Sequence, residues 1–223
     1  PGLGAVLGTL RESDPDASIY AWLCDVEWDR PTGTARTFGG IVLLRSAAVR
    51  TAGRFSARMI AGEDVDFALR LRAAGWRISV IEAPMAVHDS SLRHFGQWWR
   101  RTVRTGHAFA ELASLHPEAG FARNCRRILF WAGAVPATIL TGIILAAIAG
   151  PGWLLLSALA ALLVTAQLLR VGLRERRRHG PARAFSLALS LAVGKYAEMI
   201  GLLRYGYDQR RGRRPTLIEY KDR

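Results

Sequence analysis

The apolar positions of residues 1–90 come in short runs that alternate with stretches of helical period, a pattern typical of an α/β layer. Glycines and a serine mark the expected boundaries of these elements. Strands are predicted at 5–7, at 41–44 after Gly39-Gly40, where the strand is buried, and at 78–81. A short helix is predicted from a Ser46 cap to near Gly53. A second helix is predicted at 64–74, where Gly75 ends it and its apolar side consists of Val65, Ala68, Leu69 and Leu71.

Residues 90–127 lack strand alternation and are rich in Arg and Trp. Such residues suit the boundary between lipid headgroups and water, so the segment predicts amphipathic helices that lie near a membrane surface.

Two stretches carry no charge, residues 128–149 and 153–169. Each is near the roughly 20 residues that a helix needs to cross a bilayer. The link between them is short and uncharged, whereas arginines precede the first stretch and follow the second. Because cytoplasmic loops are rich in Lys and Arg, we predict a transmembrane hairpin over residues 128–172 with both ends cytoplasmic. Two buried helices of a soluble bundle are the alternative.

A third apolar stretch, residues 184–207, is interrupted by Lys195, Glu198 and Arg204 and has basic residues at both ends. Equal positive flanks disfavour a simple span, so we expect a re-entrant or in-plane helix. A third span with Lys195 paired to Glu198 inside a bundle is the alternative. Residues 208–223 are expected to form a basic cytoplasmic tail.

The formal net charge is +13, and its placement supports the membrane interpretation. Residues 1–127 hold 17 basic and 13 acidic side chains, whereas residues 128–223 hold 14 and 5. The excess lies in the apolar half, which favours membrane lipids over DNA or RNA as a partner, and we expect no nucleic acid. Cys24 and Cys125 are too few for a metal site or a disulfide framework, and both are expected to be reduced and buried.

The candidate chemistry begins at Gly62-Glu63-Asp64-Val65-Asp66. Three carboxylates at the start of a helix lie where unpaired backbone amides and the helix dipole favour negative charge. Taken alone, the run is more simply explained as a helix N-terminus with an acidic first turn than as a catalytic site.

Two later features add to this run. His88 ends an extended segment and precedes Asp89, although a lone His is usually structural. Residues 97–101 offer an amide, two aromatic faces and two cations. An arginine fork suits a diphosphate and a Trp face suits a sugar ring. A Trp/Arg belt beside a membrane is the alternative.

In this order the motifs resemble the second half of a family 2 glycosyltransferase domain of the GT-A (Rossmann-like) type. The resemblance covers residues 1–110. The motifs on which it rests are Gly39-Gly40 with Arg45, Gly53-Arg54-Phe55, Gly62-Glu63-Asp64, residues 70–76, His88-Asp89 and residues 97–101. The expected fold class is therefore α/β, a partial GT-A domain followed by an α-helical membrane region. The chain also resembles bacterial membrane members with a tail like residues 217–221 and with Leu10-Arg11-Glu12 and Glu27-Trp28-Asp29, to which we assign no chemical role.

The resemblance implies an inverting transfer of a sugar from a nucleotide-diphosphate sugar to a lipid-linked or glycan acceptor. It places this reaction at the cytoplasmic face of the bacterial inner membrane, in cell-surface or exopolysaccharide synthesis. Asp64 would be the general base on the acceptor hydroxyl, supported by Glu63, and His88 a ligand of Mg²⁺ or Mn²⁺. Substrate binding would fall to Gly39 and Gly40 at the acceptor, Gln97 and Arg100 at the diphosphate, Trp98 or Trp99 under the acceptor, and Arg101.

Two departures from the family pattern matter. Related synthases have Trp where Arg101 stands, which argues against a processive polymer channel. The family's Asp-x-Asp metal motif and nucleotide-binding strands are expected before residue 1, while Asp25-Val26-Glu27 is expected to be surface acid on a helix. A non-catalytic, transferase-like membrane module is the main competing hypothesis. A small transporter or scaffold is third, because the two clear spans lack ionisable residues.

Overall fold

A computed structural model describes residues 2–213, 216 and 219. In chain order the elements are β1 (Leu3–Glu12), α1 (Ile19–Trp28), β2 (Gly33–Ala35), β3 (Leu43–Leu44), α2 (Ser46–Ala52), α3 (Glu63–Ala73), β4 (Arg77–His88), α4 (Phe95–Leu115), α5 (Phe121–Ile128), α6 (Val135–Ala149), α7 (Leu154–His179) and α8 (Pro181–Arg210). A π-helical segment, Leu129–Ala134, joins α5 to α6. Most of the predicted tail motif at 217–221 lies outside the described residues.

The sheet has the strand order β2-β4-β1-β3. The long strands β1 and β4 run parallel in its centre, and the short strands β2 and β3 pair antiparallel at its edges. Ile78 and Val80 alternate with more exposed neighbours, so one face of β4 is apolar and packs on α2 and α3. Phe67 and Leu71 of α3 are fully buried against this face. The predicted α/β layer is thus confirmed.

Two predictions at the β3 edge are wrong in detail. Residues 41–44 form only a two-residue strand. Leu43 is 67% exposed because alternate side chains point to opposite faces, and Val42 and Leu44 are the ones that pack against the core. Ser46 is the first residue of α2 rather than its cap, and Arg45, which has extended dihedral angles, takes the cap position. The predicted end of this helix at Gly53 is confirmed.

The helix predicted over residues 64–74 is α3, shifted by one residue toward the N-terminus. Gly75 has a φ of +86°, which explains why the helix stops there. The buried side of α3 is centred on Asp66 and Phe67 rather than on Val65 and Leu69, so the apolar side was partly misassigned. A polar side chain therefore faces the interior.

Strand β4 is longer than the predicted 78–81 and continues to His88. Its pairing with β1 extends to the pair Glu12 and His88, with irregularities near Thr9. Parallel strands end at the same edge of a sheet, so His88 and the end of β1 lie together.

The first uncharged stretch continues directly from α5. It consists of the π-helical segment followed by α6, with no loop between the three helical parts. Pro136 lies just after this segment and has no N–H to give to the preceding turn. The carbonyl group that this N–H would reach in a regular α-helix, that of Ala132, lies within the π-helical segment. The Gly150 turn then reverses the chain into α7, as the predicted hairpin requires.

In the described part of the chain, three helices are long and apolar enough to cross a membrane, Phe121–Ala149, Pro151–His179 and Pro181–Arg210. Large aliphatic side chains such as Ile148 and Leu155 are exposed on their outer faces, which suits contact with lipid. The third helix, α8, is unbroken, so it lacks the chain reversal of a re-entrant segment. Its in-plane and spanning placements both stay predictions.

Helix α8 packs closely on α4. A Cβ at Gly201 would lie 2.0 Å from the Val103 carbonyl oxygen, and a Cβ at Gly106 would lie 2.0 Å from the Glu198 carbonyl oxygen. Only glycine lets the two backbones approach to this distance. The charged side chain of Glu198 is paired with Lys195 within α8, as the alternative interpretation expects.

The adjoining ends of α7 and α8 also contact the α/β layer. The Arg183 guanidinium pairs with Asp16 and lies 5.6 Å from the Trp22 ring centre. The His179 ring meets the edge of Trp22 at 5.3 Å. The long apolar helices α7 and α8 therefore contact the α/β layer through Asp16 and Trp22.

Candidate active site

A cleft of about 330 Å³ opens beside β1 and β4, where α1, α3, α4 and the loop before β3 meet. It brings together five residues predicted from the sequence: Gly39, Gly40, Asp64, His88 and Arg101. These residues come from four separate segments of the chain. The fold thus unites a carboxylate, an imidazole, a guanidinium and two glycines around one space.

Gly39 and Gly40 leave room for a ligand in the cleft. A Cβ added at Gly39 or Gly40 would meet no atom within 4 Å. Neither residue has the left-handed backbone that would itself require glycine. Open space is the feature that the two positions share, and it borders the cleft.

Asp64 faces the cleft from the first turn of α3. Burial raises the pKa of its carboxyl, and the negative charge of the adjacent Glu63 raises it further. The positive charge of Arg30 opposes both effects. A carboxylate with a raised pKa binds a proton more strongly than an ordinary Asp, which suits a general base.

Asp66, one turn along α3, is instead tied into the interior and is only 5% exposed. Its Oδ2 accepts hydrogen bonds from Arg70 Nε at 3.0 Å and Nη2 at 2.8 Å, and its Oδ1 lies 2.8 Å from His116 Nε2. Burial alone would raise the pKa of Asp66, but the hydrogen bonds and charges of Arg70 and His116 lower it overall. Asp66 therefore anchors α3 to the end of α4.

Gly62 makes this anchoring sterically feasible. Its φ is +83°, and a Cβ there would lie 3.2 Å from both Ala108 and Leu112 of α4. A side chain would strain the backbone and crowd α4. The glycine of the acidic motif thus sets the approach of α3 to α4, while Asp64 supplies the polar group in the cleft.

His88 is held by an aromatic contact that the sequence did not reveal. The Trp28 ring lies 5.1 Å from the His88 ring in an edge arrangement, and both residues line the cleft. The Nδ1 atom of His88 is buried and has no hydrogen-bond partner among the described residues. An unpartnered imidazole nitrogen can serve as a metal ligand.

A complete metal site is not formed by this part of the molecule. Among residues 2–213, 216 and 219, no three His, Cys, Asp or Glu side chains converge. His88 fits a divalent cation as one ligand, and further oxygen ligands would have to come from a substrate diphosphate or from other residues.

The turn after His88 is fixed by Glu12, which is only 4% exposed. Both carboxylate oxygens of Glu12 accept a hydrogen bond from Ser90 N, at 3.1 and 3.2 Å. Oε1 also accepts from Ser13 N. Asp25 Oδ1 in turn accepts from Glu12 N at 2.9 Å, so Asp25 is not merely surface acid. Glu12, which has no chemical role in the sequence interpretation, holds the turn beside the cleft.

Arg101 is the residue of the 97–101 segment that reaches the cleft. Its two Nη atoms bind both carboxylate oxygens of Glu27, at 2.8 and 3.1 Å. Because Glu27 lies on α1, this paired contact joins α1 to α4. Glu27 is exposed and on a helix, as expected, but it has a partner.

The other four residues of that segment do not line the cleft. Gln97 Oε1 accepts from the backbone N–H groups of Arg93 and His94 and so caps α4. Trp98 is buried and stacks on Tyr20. Trp99 packs in a cluster with Ile60, Val103 and Ala197, and Arg100 is exposed. Their substrate-binding roles stay predictions, and the observed contacts are structural.

Both cysteines are free thiols, as predicted. Cys24 is buried and lines the cleft, where burial raises the pKa of its thiol. Cys125 is only half-buried, so the expectation of burial holds for Cys24 alone.

Comparison with known proteins identifies the family of the chain. The family model described as "Glycosyl transferase family group 2" matches residues 21–171, about two thirds of the chain. The chain belongs to this glycosyltransferase family. The matched range includes Asp64, His88 and Arg101 and continues into α7, so this family 2 glycosyltransferase combines the α/β cleft with apolar helices.

Two curated relatives are similar to part of the chain. Both are named pre-mycofactocin glycosyltransferase, from two strains of Mycobacterium tuberculosis, and each is 35% identical over 77 residues. The similarity covers 34% of this chain but only 16% of each relative. No solved structure matches this family 2 glycosyltransferase significantly.

Proposed function

We propose that the protein is an inverting enzyme that transfers a sugar from a nucleotide-diphosphate sugar to a lipid-linked or glycan acceptor. The reaction takes place at the cytoplasmic face of the bacterial inner membrane, in the synthesis of cell-surface polysaccharide. The observation that carries the proposal is the position of Asp64, which shares a cleft with Gly39, Gly40 and His88. The neighbouring Asp66 is tied into the interior and does not compete for this role.

In the proposed reaction, Asp64 accepts the proton of the acceptor hydroxyl as its oxygen attacks the anomeric carbon. The bond from that carbon to the diphosphate breaks on the opposite face, and the diphosphate leaves with the electron pair. The raised pKa of Asp64 makes its carboxylate a stronger proton acceptor. The negative charge of Glu63 contributes to this rise in pKa. The open space at Gly39 and Gly40 admits the acceptor close to the backbone.

His88 is proposed as one ligand of Mg²⁺ or Mn²⁺, held in place by Trp28 and by the turn that Glu12 fixes. When bound, the cation neutralises charge on the leaving diphosphate. Arg101 adds a positive group at the cleft but is positioned by Glu27.

The packing of the helices supports an acceptor at the membrane. Arg101 lies in the cleft, and Gly106, little more than one turn further along α4, contacts the backbone of α8. Because α8 is a candidate span, the cleft lies within a few helical turns of the membrane helices. This short distance supports an acceptor whose lipid chain lies beside the candidate spans and whose head group enters the cleft.

The proposal is tested by measuring nucleoside diphosphate release in membranes from cells that express the complete open reading frame. A panel of nucleotide sugars is supplied with endogenous lipid acceptors, and the lipid extract is analysed for added sugar. Asp64→Asn should lower turnover at least a hundredfold, since a general base contributes about 10²–10⁴-fold. The matched control is Asp14→Asn, an exposed carboxylate outside the cleft, and it should leave turnover unchanged. Absence of release with every sugar would support the non-catalytic alternative.

The metal assignment has its own test. His88→Ala should weaken the dependence of turnover on added Mn²⁺ more than it lowers the melting temperature. An unchanged Mn²⁺ response would show that His88 has only a structural role.

A further inference from the structure

The cleft contains two arginines in different electrostatic situations. Arg101 has both Nη atoms on the carboxylate of Glu27, in a paired ion contact. A charge held in this way is largely balanced by its partner, and using it for a substrate would require breaking a two-bond contact. Arg101 is therefore better placed to position α4 than to take up a new anion.

Arg30 lies in the loop after α1 and lines the same cleft. Its Nη1 donates to the Thr37 carbonyl oxygen at 3.0 Å, a neutral partner that fixes the guanidinium without cancelling its charge. In the described part of the chain, no carboxylate oxygen lies within ion-pairing distance of Arg30. Its charge acts on Asp64 across the cleft.

The donor inventory of this side chain leaves capacity for a ligand. A guanidinium carries five N–H donors in a planar fork, of which the Thr37 contact uses one. Arg30 is exposed, so the remaining donors reach solvent or a substrate without displacing a protein partner. The planar fork matches phosphate oxygens in particular.

We propose that Arg30 is the anion-binding residue of the cleft and that it binds a phosphate group of the substrate. This inference rests on the proposed function, because sugar transfer brings phosphate to the cleft. The phosphate has two potential sources, the diphosphate of the nucleotide sugar and the phosphate of a lipid-linked acceptor. The chemistry of recognition is the same for both.

The test measures binding of inorganic diphosphate by calorimetry to the purified, detergent-solubilised product of the complete open reading frame. Arg30→Gln should weaken diphosphate binding at least tenfold, as loss of a charged hydrogen-bond contact predicts. The control is Arg50→Gln, an exposed arginine on α2 outside the cleft, and it should bind within twofold of the unaltered protein. Equal affinity of Arg30→Gln and the unaltered protein would overturn the proposal.

Two further titrations identify the source of the phosphate. Weaker binding of nucleoside diphosphates by Arg30→Gln assigns the residue to the donor, and weaker binding of a short-chain polyprenyl phosphate assigns it to the acceptor. Either result supports the proposal, and no change in both overturns it. These readouts need no turnover, so they are independent of the Asp64→Asn result that tests the proposed function.

Discussion

The close crossing of α4 and α8 allows a quantitative prediction for Gly201→Ala. The added Cβ would lie 2.0 Å from the Val103 carbonyl oxygen and 2.6 Å from His107 N. Ordinary contact begins at 3.4 Å, so the helices must separate by about 1.4 Å at this point. Both obstructing atoms belong to the backbone of α4 and cannot move by a change of rotamer.

The matched control is Gly206→Ala on the same helix, where a Cβ meets no atom within 4 Å. Both variants gain about 1 kcal/mol from the better helix propensity of Ala. Only Gly201→Ala carries the overpacking cost, about 1 to 3 kcal/mol. At about 2 to 4 °C per kcal/mol, its melting temperature should lie roughly 2 to 12 °C below that of Gly206→Ala.

The assay is thermal unfolding of the two purified variants in the same detergent, followed by circular dichroism. Sugar-transfer activity should also fall in Gly201→Ala, because α4 carries Arg101 into the cleft. Equal melting temperatures for the two variants would refute the close crossing.

Three further predictions concern the carboxylates. Glu63→Gln removes a negative charge that raises the pKa of Asp64, so the acid limb of the kcat/KM profile should move to lower pH. The pKa of Asp66 is lowered in the folded protein from an ordinary value near 3.8, so its stabilisation is present above that value and is lost as pH falls through the folded pKa. Between roughly pH 5 and pH 2 the unaltered protein should therefore lose more stability than Asp66→Asn in urea titrations. Glu12→Gln should cost about 1.5 to 3 kcal/mol in the same titrations at neutral pH, because the amide presents a donor to the Ser90 and Ser13 N–H groups.

Much of the fold was predictable because it depends on local pattern. Alternating apolar residues predicted the α/β layer, and the charge-free length of residues 128–169 predicted two long apolar helices joined by a tight turn. The mispredictions arose where neighbours in space decide the outcome. Residues 41–44 are as apolar as a buried strand, but only the face with Val42 and Leu44 is covered by the core, so Leu43 on the other face is exposed. Asp66 is polar, yet it can be buried because its carboxylate oxygens form hydrogen bonds with Arg70 and His116.

The candidate site was predictable only in part. Asp64 and His88 stand in recognisable motifs, and the fold places them in one cleft. Trp28 and Arg30 were missed as cleft residues because their contacts bridge long sequence separations that no local period records. The contact of Glu27 with Arg101 and the contact of the buried Glu12 with Ser90 were missed for the same reason.

The most direct test of the central claim compares Asp64→Asn with Asp66→Asn for sugar transfer and folding in the complete protein. Asp64 lines the cleft and Asp66 bonds Arg70 and His116 in the interior. The account predicts that Asp64→Asn folds normally and loses at least a hundredfold in turnover. It predicts that Asp66→Asn is less stable but retains its turnover per folded molecule. Normal turnover by a folded Asp64→Asn protein would contradict the account.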